Sequence, residues 1–459
     1  MARDPGFPGV TTTTPTITPS APRRFWDDPH DDSSVTPPTS RKAAVTTASI
    51  ELQDALAARF LRYSAISSQS DASATVVPSS QGQWEFARLL AAELEEAKVE
   101  DVHLSDTCVL TARIPSTLPD GKTAPTIGFC THLDTADSGL SPDVHARIVE
   151  HTGGDIHLGG DQWIRREEHP EIDAYVGQRI LVTDGTSVLG ADDKAGVASV
   201  MEAVVRLMSD PRPHPEVYLS FVPDEEIGLR GVQTMDLERF PVDWAYTLDC
   251  CELGEVVEAT FNAAYATVVI EGVAAHPMSA YGVMVNPILV AHDLIGRFDP
   301  TQTPECTKDR EGYIWVDAIH GDQSVTTIDV NIRDHDRGRF EQRKDEIRQV
   351  VEQVRTSHPR ARIDVTFKDV YANLEDSKTS DNAVATQRLL DAMRAVGVEP
   401  IHRSMRGGTD GSWLSTQGIF TPNFFTGAHN FHSRCEFLPL PSLERSHNIV
   451  MELMRGVSS

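Results

Sequence analysis

Apolar positions recur every four residues at Leu52, Leu56 and Phe60, the spacing of one helix face. A second helix is predicted from Phe86, Leu89, Leu90, Leu94 and Ala97, which share one side. The pattern then shortens to strand-like runs, VLTARI, TIGFC, EVYLSFV and WAYTLD, with the helical run AGVASVMEAVVRLM between the earlier and later pairs. Apolar strands alternating with helices predict an α/β sheet covered on both faces.

After residue 260 the order changes. The runs ATVVIEG, NPILVAHDLIGRF, GYIWVDAIH, VTTIDVNIR, GRFEQRKDEIRQVVEQVR and RIDVTFKDV read strand, helix, strand, strand, helix, strand. That βαββαβ order predicts a ferredoxin-like domain. A helix restarts at DNAVATQRLLDAMRAVG. The expected organisation is a main α/β domain over residues 49–260 and 376–459, interrupted by an inserted domain over 261–375. Residues 1–48, with TTTTPTITPSAP and DDSSVTPPTSRK, are rich in Thr, Pro and Ser. Such a segment buries too little apolar surface to offset its ordering entropy, so a disordered tail is expected.

Composition narrows the class. The chain has 459 residues, 40% hydrophobic and 24% charged, which is globular composition at a length suited to two domains. Its net charge of -27 argues against a nucleic-acid backbone or an acidic membrane as partner. No run is long and apolar enough to cross a bilayer, and the first residues lack the apolar block of a signal peptide. Cysteines at 108, 130, 250, 251, 306 and 435 form no even framework, which predicts reduced thiols in a cytoplasmic protein.

Polar clusters interrupt the apolar runs. THLDT places His132 and Asp134 at the end of a strand, where side chains two residues apart point the same way. VLGADDKAG places Asp192 and Asp193 between strand and helix, PDEE places Glu225 and Glu226 after a strand, YTLD places Asp249 at a strand end, and GAHNFHSRCEF places His432 in a late loop. Each alone reads as capping or solvated loop chemistry. Together they sit where open α/β sheets gather ligands, outside the carboxyl ends of the strands. Two imidazoles with several carboxylates are donors for zinc-like cations. Without a cation, so many carboxylates repel and raise one another's pKa.

The ordered set THLDT, VLGADDKAG, PDEE, YTLD, AHP, RGGTDG and NFH resembles peptidase T, a family of tripeptide aminopeptidases among the co-catalytic zinc peptidases that also include carboxypeptidase G and succinyl-diaminopimelate desuccinylase. The resemblance runs from about residue 52 to 455, and GGDIHLG, FNAAY and IRDHD favour peptidase T over its relatives. It implies a mixed-sheet catalytic domain carrying the βαββαβ insertion as a lid and dimerisation domain. It implies two Zn2+ per chain, with Co2+ or Mn2+ as substitutes. His132 and Asp249 would bind one ion, Glu226 and His432 the other, and Asp192 both. Asp134 would orient the His132 imidazole, and Glu225 would act as general acid/base, since consecutive side chains point apart and leave it free.

The same resemblance brings His276 and Asn286 of the insertion toward the substrate and assigns Arg333 and Arg406 to a peptide carboxylate, the geometry an Arg fork suits. Gly407 and Gly408 would let the backbone approach a ligand. Read without it, Arg333 also fits an ion pair with Asp334 or Asp336, and His276 a loop histidine before proline. The chain departs from the family at Cys250 and Cys251, where glycines are usual, and at Cys435, where a histidine is usual. The implied activity is release of the N-terminal residue from short peptides, tripeptides above all, by a cytoplasmic enzyme that forms a homodimer. A dipeptidase, an N-acyl amino acid deacylase of the same two-metal class, and a catalytically dead peptide-binding protein stay open.

Overall fold

The computed structural model describes residues 46–456. The expected tail lies outside the described residues up to position 45, and the first helix, Thr47–Ser64, begins at Thr47. Its Leu52, Leu56 and Phe60 are buried, as are Phe86, Leu90 and Leu94 of the second helix, Gln81–Glu96.

The main sheet has eight strands. Across it run Glu100–Leu104, Leu110–Ile114, Val217–Val222, Ile127–His132, Trp244–Cys250, Asn423–Phe425, Glu255–Ala259 and Ile401–Ser404. The central pairings, from Val217–Val222 to Asn423–Phe425, are parallel. Leu110–Ile114 and Glu255–Ala259 join this core antiparallel, so the sheet is mixed. Parallel central strands bring their carboxyl ends to one edge, which places His132, the Glu225–Glu226 turn and Asp249 side by side.

Alternation along Ile127–His132 feeds two cores. Ile127 and Phe129 pack with helices Thr47–Ser64, Ala191–Met208 and Leu440–Arg455 on one face. Cys130 packs on the other with Phe240, Leu229 and Leu414. Helix Ala191–Met208 is buried along most of its length, which explains why its sequence is apolar on nearly every side.

Residues 262–371 form a second sheet of four strands, ordered Tyr313–Gly321, Val325–Asp334, Asn262–Glu271, Arg362–Tyr371 and wholly antiparallel. Helices Pro287–Ile295 and Arg337–Ser357 pack on it through Val290, Leu294, Phe340, Ile347 and Val351. The order is βαββαβ, as the run of apolar periods predicts. Two smaller sheets have no counterpart in the sequence reading: Phe437–Pro439 with Arg179–Val182 and Arg147–Glu150, and the hairpin Ile156–Gly159 with Gln162–Ile164.

Candidate metal centre

The strand Ile127–His132 ends with a buried imidazole. His132 Nε2 lies 2.9 Å from Asp192 Oδ1. Asp192 stands at the start of helix Ala191–Met208, after Gly190 at φ 72°. A Cβ on Gly190 would approach Thr135 Cγ2 to 2.9 Å, so glycine serves both the left-handed turn and the close approach. The Asp192–Asp193 peptide is cis. The second Asp192 oxygen, Oδ2, lies 3.0 Å from His432 Nε2. One carboxylate therefore faces two imidazoles, which lie 60 and 240 residues from it along the chain.

Glu226 Oε1 is 3.0 Å from His432 Nε2 but off hydrogen-bonding alignment, which leaves that buried oxygen unsatisfied. His132, Asp192 and Glu226 offer ligand atoms within 4.8 Å of one another, and so do His132, Glu225 and Asp249. The ligands expected from sequence thus converge, with Glu225 among them.

Buried side chains hold the ligand-bearing backbone. Asp134 accepts from the Glu225 amide through Oδ1 at 2.9 Å and from the Glu226 amide through Oδ2 at 3.1 Å. The nearer acceptor for His132 Nδ1 is the Asp134 carbonyl oxygen at 3.0 Å, with its carboxylate at 3.4 Å. Asp134 therefore orients the imidazole mainly through its backbone and aligns the two glutamates through its side chain. Asn423 grips Asp249 from both sides, accepting from its amide at 2.8 Å and donating to its carbonyl at 2.9 Å. Asp193 Oδ2 accepts from the His132 amide at 3.2 Å. Sequence reasoning gave no role to Asn423, Asp193, Glu436 or Asp410. The available signal was a polar residue inside an apolar run, as in TPNFF and CEFLPL.

The electrostatics are those of crowded acids. Burial, with Asp249 beside it, pushes the Glu225 carboxyl well above its ordinary range, and burial and Asp192 do the same to Asp249. Burial and Asp192 push Glu226 up to about 7. Burial pushes Asp410, which closes the cluster from the short helix Asp410–Thr416, up to about 7 as well. Burial also disfavours the ionised Asp192, yet hydrogen bonds from His132 and His432 hold it below its ordinary value. His432 is pushed up to about 11 by its contacts with Asp192 and Glu226. Protons on His432 and on several raised carboxyls offset the negative charge of the crowded cluster.

Arg333 is 9% exposed and lies between the rings of Tyr265 and Tyr371, 5.2 and 5.8 Å from their centroids. Its Nη1 donates to the Ala264 and Ile332 carbonyls. The ion-pair alternative does not form, because Asp334 binds Arg339 and Arg343 while Asp336 caps helix Arg337–Ser357. Arg333 packs on the ring of Tyr371, whose buried hydroxyl also feels the Glu225 carboxylate. Gly408 lies beneath the Tyr371 ring, where a Cβ would collide.

The other residues expected at the substrate each have partners within the fold. Arg406 donates to the carbonyls of Asp309 at 3.3 Å and Glu311 at 2.8 Å and to Thr307 Oγ1 at 2.8 Å, and it stacks over Phe261 and Tyr313. These donors meet the 307–311 loop. His276 is exposed and accepts from the Met278 amide. Asn286 caps helix Pro287–Ile295 through the Ile288 amide. Neither hydrogen-bonds to a cluster residue. The Gly407 carbonyl accepts from the Phe261 amide. Cys250 is buried, and the thiol of Cys251 is pushed up by burial and Asp192, so both stay protonated. Cys435 packs under the small sheets with its Sγ 3.7 Å from the Trp163 carbonyl.

Residues 190–456 match the model of peptidase family M20/M25/M40. A peptidase T-like protein of Yersinia pestis is 48% identical over 402 residues, covering 87% of this chain and 97% of the relative.

The chain belongs to peptidase family M20/M25/M40.

Within this M20 family, peptidase T of Pasteurella multocida is 40% identical, covering 87% of this chain and 97% of the relative. The crystal structure of the aminopeptidase PepT from Bacillus cereus superposes with a TM-score of 0.68 at 23% identity, covering 88% of this chain and 98% of that one. A Bacillus subtilis protein described as a dinuclear metal binding peptidase of the M20 family shares the fold at a TM-score of 0.57 and 12% identity, covering 88% of this chain and 99% of that one. The M20 chain has no helix among the described residues long and apolar enough to cross a membrane.

Proposed function

We propose that the chain is a two-zinc aminopeptidase that removes the N-terminal residue from short peptides, tripeptides above all. The reading is carried by the Glu225–Glu226 turn, whose amides are both held by Asp134. Glu226 is directed to Asp192 and His432, and Glu225 to His132 and Asp249. The donors fit a metal pair: His132 and Asp249 for one ion, Glu226 and His432 for the other, and one Asp192 oxygen toward each imidazole between them. The buried, unsatisfied Glu226 oxygen is an acceptor of the kind a cation completes.

When bound, such ions supply Lewis acidity at the scissile carbonyl and make water more acidic. Glu225 takes a proton from the attacking water as its oxygen bonds to the carbonyl carbon. When the C–N bond breaks, Glu225 passes that proton to the departing amine nitrogen. Arg333 receives the peptide's terminal carboxylate. Arg333→Lys keeps the charge but loses the planar fork, so KM for a tripeptide is expected to rise roughly ten- to hundredfold, with kcat changed less. Equal KM values in steady-state assays would remove Arg333 from the site.

Names of the peptidase T relatives support this activity over its alternatives. The deciding assay sets a free tripeptide against a dipeptide and an N-acetylated amino acid. The tripeptide is expected to be hydrolysed fastest. Preference for the acetylated compound, which has no free amine, would make the chain a deacylase. Binding of tripeptide by metal-loaded protein without turnover would make it a binding protein.

A further inference from the structure

Glu436 lies four residues beyond His432 and is 1% exposed. Its Oε2 accepts from the amides of Leu189 at 2.7 Å and Gly190 at 2.9 Å, and its Oε1 from those of Ala191 at 2.8 Å and Asp192 at 3.4 Å. One carboxylate thus satisfies consecutive amides that lead into Asp192, at a helix start where negative charge is favoured. Glu436 offers no atom to the ligand cluster itself.

The other end of the link is as well defined. Residues 429 and 437 close a loop by exchanging backbone hydrogen bonds, His429 N to Phe437 O at 2.9 Å and Phe437 N to His429 O at 3.2 Å. Inside it, the Glu436 amide donates to the Ser433 carbonyl, the Cys435 amide to Ser433 Oγ, and Asn430 Nδ2 to the Cys435 carbonyl. His432, at φ 59°, sits in this loop, and Glu436 stands at its base. The remaining ligands are placed by other means: His132 by the central strand and Asp193, Asp249 by Asn423, and Glu226 by Asp134.

Building on the two-metal reading above, we infer that Glu436 is the positioning residue that locks the His432 loop to the Asp192 turn. The metal position formed by Glu226, His432 and Asp192 depends on it for two of its three ligands. The position formed by His132, Asp249 and Asp192 depends on it for one.

The test is calorimetric titration of metal-free full-length protein with Zn2+, for the wild type, Glu436→Gln and Glu93→Gln. Glutamine keeps the shape and one acceptor oxygen but loses the charge and the second acceptor. Supporting-residue losses cost roughly ten- to hundredfold in metal affinity, and that loss is expected at the second equivalent of Glu436→Gln, with the first changed by about threefold or less. Glu93 binds Arg59, Arg62 and Tyr63 among the helices Thr47–Ser64 and Gln81–Glu96. Glu93→Gln is expected to lower Tm and leave both affinities unchanged, which separates positioning from general destabilisation. Equal weakening of both equivalents in Glu436→Gln, or none, would overturn the inference alone. A wild type that takes up a single ion would overturn the two-metal reading and the inference with it.

Discussion

Glu225→Gln is expected to lower kcat for a tripeptide by about a hundred- to ten-thousandfold, the range of general acid–base catalysis, while metal content and KM stay close to wild type. Glutamine is nearly the same shape and cannot exchange a proton at neutral pH. The hydrogen bond that holds Glu225 to Asp134 runs through its backbone amide, so the turn that also carries Glu226 keeps its geometry. The Glu225 carboxyl is buried beside Asp249 and raised well above its ordinary range, which suits a group that must first accept and then release a proton. A loss confined to kcat marks an interaction made in the transition state. Steady-state kinetics with metal analysis on the same samples checks it. An unchanged kcat would remove Glu225 from proton transfer, and a lost metal would make it a ligand instead.

The residues that face the centre were legible because they break a pattern. His132 ends an apolar run, Glu225 and Glu226 follow one, and Asp249 closes another. A strand that ends in such groups has reached the rim of the sheet, and parallel order brings those rims together. The inserted domain was legible for a related reason. Its strands are nine or ten residues long, enough for period and order to show. The strands of the two small sheets have three or four residues, too few for alternation to register. Backbone clamps were illegible on different grounds. Asn423, Asp193 and Glu436 bond to peptide groups, and a peptide group carries no side-chain signature. The partners of Arg406 within the fold were illegible for the same reason, since they are two carbonyls and a threonine hydroxyl.

Removal of metal by chelation is expected to abolish turnover and to invert the pH dependence of stability. In the stripped protein Glu226 titrates near 7, against about 4.3 in an unfolded chain. Between those values the native state binds more protons than the unfolded one, so stability falls as pH rises. The raised carboxyls of Glu225 and Asp249 act in the same direction. His432, pushed up to about 11, contributes stability that is fully present below about 6.5 and fades as pH climbs toward its folded value. Asp192 is depressed, so its contribution fails only below the ordinary aspartate range of about 4, outside this window. Metal binding requires the same groups to be deprotonated, so affinity grows with pH, and each ion at a hundredfold excess over its Kd adds about 2.7 kcal/mol. The gap in Tm between loaded and stripped protein should therefore widen from about pH 5.5 to about pH 8. Thermal unfolding at several pH values, with and without chelator, checks it. A gap in Tm that stays constant or narrows over that interval would mean that these carboxylates and His432 are not crowded into one buried cluster, and the metal centre would go with it.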